Sequence, residues 1–227
     1  MPFNLARRVA HDVLLDCSLN GQHCGPALAG VFSRNRQFKQ ATVSHASSLV
    51  YGILRNQRLL DFSLSQFATL DRMTESTRTA LRIGAYEVLH LEVEPSRAVG
   101  GAVKTQGSNR KACSLVNGVL RTLCEQRASL PQPEEEPSYS RLQALGVRCS
   151  LPEWLLQELE GQLGPRGMEE WAHATQRAPP LALRINPLQA RTADVETALR
   201  AEGLDVERWP GVGAAEAGAG TPGGGGG

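Results

Sequence analysis

Residues 79–123 read TALRIGAYEVLHLEVEPSRAVGGAVKTQGSNRKACSLVNGVLRTL, and this stretch contains three helical patterns in succession. In the first pattern, apolar and small residues recur at helical spacing and predict one buried face, formed by Ala80, Leu81, Gly84, Ala85, Val88 and Leu89. The adjacent face carries Arg78, Arg82 and Glu87. Because Gly84 and Ala85 leave the buried face flat, we expect another helix to approach it closely.

The two following helices are predicted from their start and stop signals. Pro95 ends the first helix because it cannot donate a backbone hydrogen bond, and Ser96 can cap the second. Gly107 closes this short second helix, and Ser108 or Asn109 caps the third. The buried stripe predicted for the third helix consists of Ala112, Leu115, Val116, Val119, Leu120 and Leu123.

The rest of residues 1–127 adds four further helical patterns and no convincing strand, so the sequence predicts an all-α bundle of seven helices. Asn4 can cap the first helix, in which Arg7 and Arg8 lie near the start. Basic side chains oppose the helix dipole there, which indicates a bound anion, although two exposed arginines explain the pattern equally well. His45 is interpreted as a surface or core-edge histidine, because no carboxylate is recognisable beside it.

Charge separates the chain into two parts. Residues 1–127 contain 16 Lys and Arg against 9 Asp and Glu, a net charge of +7, whereas residues 128–227 contain 8 against 14, a net charge of −6. Arginine, the main basic residue, suits bidentate contacts with phosphate, but a solvated helical surface remains an alternative. The five cysteines form no C-x-x-C pair, so no metal site is predicted. No signal peptide or membrane span is recognisable, and we expect a cytoplasmic protein.

Three sequence blocks, SLVYGILRNQRLLD, LRIGAYEVLHLEVEPSRAVGGAVK and SLVNGVLR, resemble the signature blocks of the NusB family in order and separation. The resemblance implies an all-helical RNA-binding fold found in two settings. One is the free-standing antitermination factor, which binds RNA with a ribosomal-protein partner. The other is the N-terminal domain of bacterial rRNA 5-methylcytosine methyltransferases of the RsmB (Fmu/Sun) type.

The resemblance also suggests where RNA would bind. It makes Arg7 and Arg8 candidates for phosphate contact, and the further RNA-binding candidates are Arg78, Arg82 and Lys104. The chain departs from the family pattern at Gly101, where an acidic residue is usual.

The remaining residues favour the methyltransferase setting. Residues 128–138 form an acidic, proline-rich linker. Residues 139–209 are interpreted as a small α/β (α+β) linker subdomain, with Ser150 capping a helix, another helix at 165–175, strands at 181–185 and 204–209, and a helix at 192–202 between them. The motifs LPEWLL and RAPPLALRIN resemble the RsmB-type segment that precedes the catalytic domain and helps to hold rRNA.

Residues 210–227 are predicted to be a disordered low-complexity tail. The resemblance implies that a catalytic domain should follow, with a glycine-rich loop for S-adenosylmethionine and two cysteine motifs, and neither is recognisable. We therefore assign no catalytic residue and no cofactor to this chain, expect it to be inactive alone, and expect it to bind RNA, specifically small-subunit rRNA. A NusB-like transcription regulator and a non-functional truncated product remain alternatives.

Overall fold

Helix α5 (Glu75–Leu89) is the central element of the fold, and most other helices of the N-terminal region pack directly against it. The computed structural model describes residues 2–177 and 181–208, so the predicted tail lies outside the described residues. The helices that contact α5 are α1 (Pro2–Asn20), α3 (Gln40–Arg55), α4 (Gln57–Ser65), α6 (Pro95–Thr105) and α7 (Arg110–Glu125), and α2 (Cys24–Arg34) packs on α1 and α3. The predicted seven-helix bundle is confirmed.

Other helices pack closely against the flat face of α5, as the sequence predicts. A Cβ atom added to Gly84 would lie 3.1 Å from the Cβ of Ala102 on α6 and would overlap the side chain of Leu120 on α7. Both helices therefore approach the α5 backbone more closely than any larger residue would allow. The adjacent face of α5 differs from expectation, because Arg82 and Glu87 are buried as well.

Several helix starts differ from those predicted. Asn4 lies inside α1 instead of capping it, and Glu94, not Ser96, caps α6 by accepting from two backbone N–H groups. Asn109 caps α7 as predicted, with its side chain accepting from the backbone nitrogen of Ala112 at 3.1 Å. Ser150 does not cap the next long helix, since it has φ of 51° and lies two residues before the N-cap Pro152.

Residues beyond the bundle continue to pack against it. Helix α8 (Arg141–Arg148) was not predicted from the sequence. It starts with a capping box formed by Ser140 and Gln143. This helix contacts both α4 and α9 (Glu153–Thr175), and α9 is kinked at Gly164, which has φ of 71°. The proline-rich segment is held too, because Arg148 on α8 donates to the Glu134 carboxylate at 2.9 Å, and this hydrogen bond lowers the pKa of Glu134.

Contacts along the chain form two units, residues 1–178 and residues 179–227. In the second unit, the described residues contain α10 (Thr192–Ala201), and the predicted helix is confirmed. The two strands predicted at 181–185 and 204–209 are wrong for the described residues, since no strand is formed between 181 and 208. A strand needs hydrogen bonds from a neighbouring strand, and an alternating sequence pattern cannot supply that neighbour.

Arg58 joins α4 to the start of α9, and its replacement tests how firmly this outer layer is attached. The backbone nitrogen of Arg58 donates to the Ser150 hydroxyl at 3.1 Å, its guanidinium donates to the Leu151 carbonyl, and it pairs with Glu153 at 3.5 Å. We expect Arg58→Ala to destabilise the protein by about 1 to 2 kcal/mol, because the carbonyl loses a charged donor.

Limited proteolysis should show faster cleavage within residues 128–152 of the Arg58→Ala variant. Arg121→Ala is the control, since Arg121 is exposed on α7 and, within the described residues, bonds to Asn117 one turn away. Equal cleavage rates in the two variants would contradict an anchoring role for Arg58.

Candidate nucleic-acid interface

Arg7 is buried and paired with an internal carboxylate. Only 5% of its surface is exposed, and its Nε lies 2.9 and 2.8 Å from the two carboxylate oxygens of Glu87, which is itself 0% exposed. The anion indicated by the basic start of α1 is therefore Glu87 of the same protein. A phosphate cannot reach this guanidinium in the folded chain, which corrects the prediction made for Arg7.

Glu87 on α5 connects three helices through its partners, and a fourth helix, α6, packs against one of these partners. His45 on α3 places its Nε2 3.2 Å from a Glu87 carboxylate oxygen, so a carboxylate does lie beside this histidine. On α6, a Cβ added to Gly101 would lie 2.5 Å from the Arg7 guanidinium. The absence of a side chain at Gly101 thus makes room for the buried arginine.

Arg82 and Arg78 also take part in internal ion pairs. Arg82 is 8% exposed and forms a bidentate pair with Asp61, at 2.7 and 2.8 Å, and a further bond to Glu75 at 2.9 Å. Arg78 is partly buried and contacts Glu75 at 2.5 Å. Burial and pairing explain Arg82 structurally, so its predicted RNA contact is not supported, and Arg78 is only partly accessible.

Helices α1 and α6 lie side by side and run in the same direction. Arg7 packs against Gly101, and one turn later the Nε2 of His11 lies 3.5 Å from the side-chain nitrogen of Gln106. Residue numbers therefore rise together along the contact between the two helices. Ser76 stabilises this contact, because its carbonyl accepts from Gln106 at 3.1 Å and lies 3.1 Å from His11 Nε2.

Exposed basic side chains border this contact on both helices. Arg8 is exposed on α1, four residues after Asn4 and three before His11, so it shares their side of the helix. On α6, Arg97 and Lys104 are exposed and lie four residues before and three residues after Gly101. We call Arg8, Arg97 and Lys104 the cationic seam.

Arg8 and Lys104 are RNA-binding candidates predicted from the sequence, whereas Arg97 was not among those candidates. The available signal was its position within EPSRAV, at helical spacing from Gly101 and Lys104. The seam is not uniformly positive, because the exposed carboxylate of Asp12 follows Arg8 by one turn. A row of exposed cations on two adjacent helices suits contact with a phosphate backbone.

The described residues contain no group of three metal-ligating side chains. Within residues 2–177 and 181–208, no helix is both long and apolar enough to cross a membrane.

Comparison with protein families divides the chain at the same region as its charge. Residues 4–125 match the NusB family, and residues 151–215 match the ferredoxin-like domain of RsmF/B-like methyltransferases. The seam lies entirely within the first match. The second match includes α9 and α10.

Two kinds of curated relative resemble the chain. A probable ribosomal RNA small subunit methyltransferase B of Bacillus subtilis is 29% identical over 209 residues, which are 89% of this chain and 45% of the relative. The transcription antitermination protein NusB of Salinispora tropica is 31% identical over 126 residues, which are 53% of this chain and 93% of the relative. The chain thus spans less than half of the methyltransferase relative.

A solved structure shares the fold of the helical bundle. The crystal structure of antitermination factors NusB and NusE in complex with dsRNA contains a chain 27% identical in sequence, with a TM-score of 0.51. The match covers 55% of this chain and 98% of the other.

Proposed function

This chain belongs to the NusB family, and from that membership we propose that its helical bundle binds RNA through the cationic seam. The observation that carries the proposal is the row of exposed cations on α1 and α6, within a fold shared with a protein crystallised with dsRNA. Arg8 and Lys104 contact phosphates in this proposal, together with Arg97. Arg78 contributes at most through the accessible part of its side chain.

The RNA is proposed to be small-subunit ribosomal RNA. The support is the relative from Bacillus subtilis, a probable small subunit rRNA methyltransferase whose similarity extends over 89% of this chain. Residues 1–177 then serve to hold RNA for methylation. A protein partner of the NusE kind, as in the solved complex, is part of the proposal.

A role in transcription antitermination is the second candidate. It is favoured by the NusB relative from Salinispora tropica, 93% of which aligns with the first part of this chain. That role does not account for the match of residues 151–215 to the RsmF/B ferredoxin-like domain. The rRNA reading uses both matches and is therefore preferred.

RNA affinity should depend steeply on salt and on the seam residues. If three cations each neutralise one phosphate, the logarithm of the binding constant should fall with the logarithm of salt concentration with a slope of about −2 to −3. Arg8→Ala and Lys104→Ala should each reduce this slope by about 1 and weaken binding without changing stability. Fluorescence anisotropy with a labelled small-subunit rRNA fragment, titrated at several salt concentrations, measures both quantities.

Arg36→Ala is the matched control for loss of one charge, because Arg36 is exposed between α2 and α3 and outside the seam. If Arg36→Ala changed the slope as much as Arg8→Ala, binding would depend on net charge and not on the seam. An unrelated RNA of equal length tests the rRNA assignment, since equal affinity for both would argue against it.

A further inference from the structure

Two adjacent glycines lie inside α6, and only one of them has a structural explanation. Gly101 is buried, and the guanidinium of Arg7 occupies the space of its missing side chain. Gly100 is exposed, and a Cβ added there would meet nothing within 4 Å. Packing therefore requires glycine at 101 but not at 100.

Backbone conformation does not require a glycine at position 100 either. Gly100 lies within the helix Pro95–Thr105, and among the described glycines those with positive φ are Gly21, Gly107, Gly164 and Gly203. Glycine in an exposed helix interior makes the helix less stable than alanine does, because glycine loses more backbone freedom on folding. This residue thus weakens α6 without a compensating contact inside the protein.

The neighbours of Gly100 are the two α6 cations of the seam. Arg97 precedes it by three residues and Lys104 follows it by four, so the three positions are adjacent on the exposed helix surface. Because Gly100 has no side chain, nothing projects from position 100 into the space between the two cations, as the side chain of any other residue would. A glycine at such a position lets a ligand approach the helix backbone closely.

We propose that Gly100 is the point where the phosphodiester backbone of bound RNA comes closest to α6, lying between Arg97 and Lys104. This inference rests on the proposed RNA binding and names a positioning residue for it. Gly100 itself supplies no charge. It shortens the distance from the phosphates to both cations, and Coulomb attraction increases as that distance falls.

The test is that one substitution should change affinity and stability in opposite directions. Gly100→Ala should weaken binding of a fluorescein-labelled RNA duplex about three- to tenfold. The same variant should unfold at a temperature a few degrees higher, as expected for alanine in place of an exposed helical glycine. Gly100→Leu should weaken binding further, because its side chain fills more of the space between the cations.

Gly118→Ala on α7 is the matched control. Gly118 is also exposed inside a helix with nothing within 4 Å of an added Cβ, but it lies outside the seam. The Gly118→Ala variant should gain about as much stability as Gly100→Ala and should bind RNA like the wild type. Wild-type affinity in Gly100→Ala and Gly100→Leu, or an equal loss in Gly118→Ala, would overturn the inference while leaving RNA binding intact. Absence of binding by the wild-type protein would instead refute the proposed function.

Discussion

Replacing Glu87 by glutamine is expected to lower the free energy of unfolding by about 3 to 5 kcal/mol, the cost typical of breaking a buried ion pair by removing one partner. Glu87 is 0% exposed and Arg7 is 5% exposed, so water cannot solvate the guanidinium that loses its counter-charge. The glutamine side chain also places an N–H donor where Glu87 has a carboxylate oxygen. Both Arg7 and His45 now contact carboxylate oxygens of Glu87. Urea denaturation followed by circular dichroism measures the change.

Glu125→Gln is the control for this substitution, because Glu125 is exposed at the end of α7. We expect it to change stability by less than about 0.5 kcal/mol. The double variant Arg7→Leu with Glu87→Leu should be more stable than Glu87→Gln alone, since it removes both buried charges. If Glu87→Gln were as stable as Glu125→Gln, Glu87 would not be the carboxylate that balances Arg7.

Replacing Gly52 by alanine is expected to destabilise the protein by about 1 to 3 kcal/mol through overpacking. A Cβ at this position on α3 would overlap the hydroxyl and ring of Tyr86 on α5 and would lie 2.7 Å from its Cε1. The ring is rigid and 9% exposed within the core, so it cannot move aside without displacing its neighbours. Thermal and urea unfolding measure the loss.

Gly118→Ala is again the control, because alanine there meets open space. It should raise stability by about 0.5 to 1 kcal/mol, so the two Gly→Ala substitutions should have opposite signs. Combining Gly52→Ala with Tyr86→Leu should cost less than the sum of the two single changes, because the smaller side chain makes room for the new methyl group. Additive effects would show that Tyr86 is not what excludes a side chain at Gly52.

These predictions separate stability from binding among the basic residues of the N-terminal domain. Arg7 and Arg82 hold helices together through buried carboxylates, whereas the cations of the seam remain exposed. Substituting the first kind should destabilise the bundle, and substituting the second should weaken RNA binding in the folded protein. Measuring stability beside affinity is therefore necessary for every arginine variant.

The sequence alone predicted the seven-helix bundle, the flat face at Gly84, a cap for α7 at Ser108 or Asn109 and the helix α10. Each depends on residues within a few positions of one another, because helical periodicity, capping and chain termination are local properties. The three linked blocks likewise predicted the NusB family, which the match of residues 4–125 confirms. Arg8 and Lys104 were chosen as RNA-binding candidates because their charge is visible in the sequence.

Tertiary structure decided what the local pattern could not. Arg7 and Glu87 are separated by 80 positions, and nothing near either residue in sequence shows that they form a pair. The same holds for Arg82 with Asp61, and for the space at Gly101 that the Arg7 side chain fills. Burial depends on which helices surround a side chain, and the strands predicted from alternation lacked neighbours for the same reason: both require partners that only the folded chain brings together.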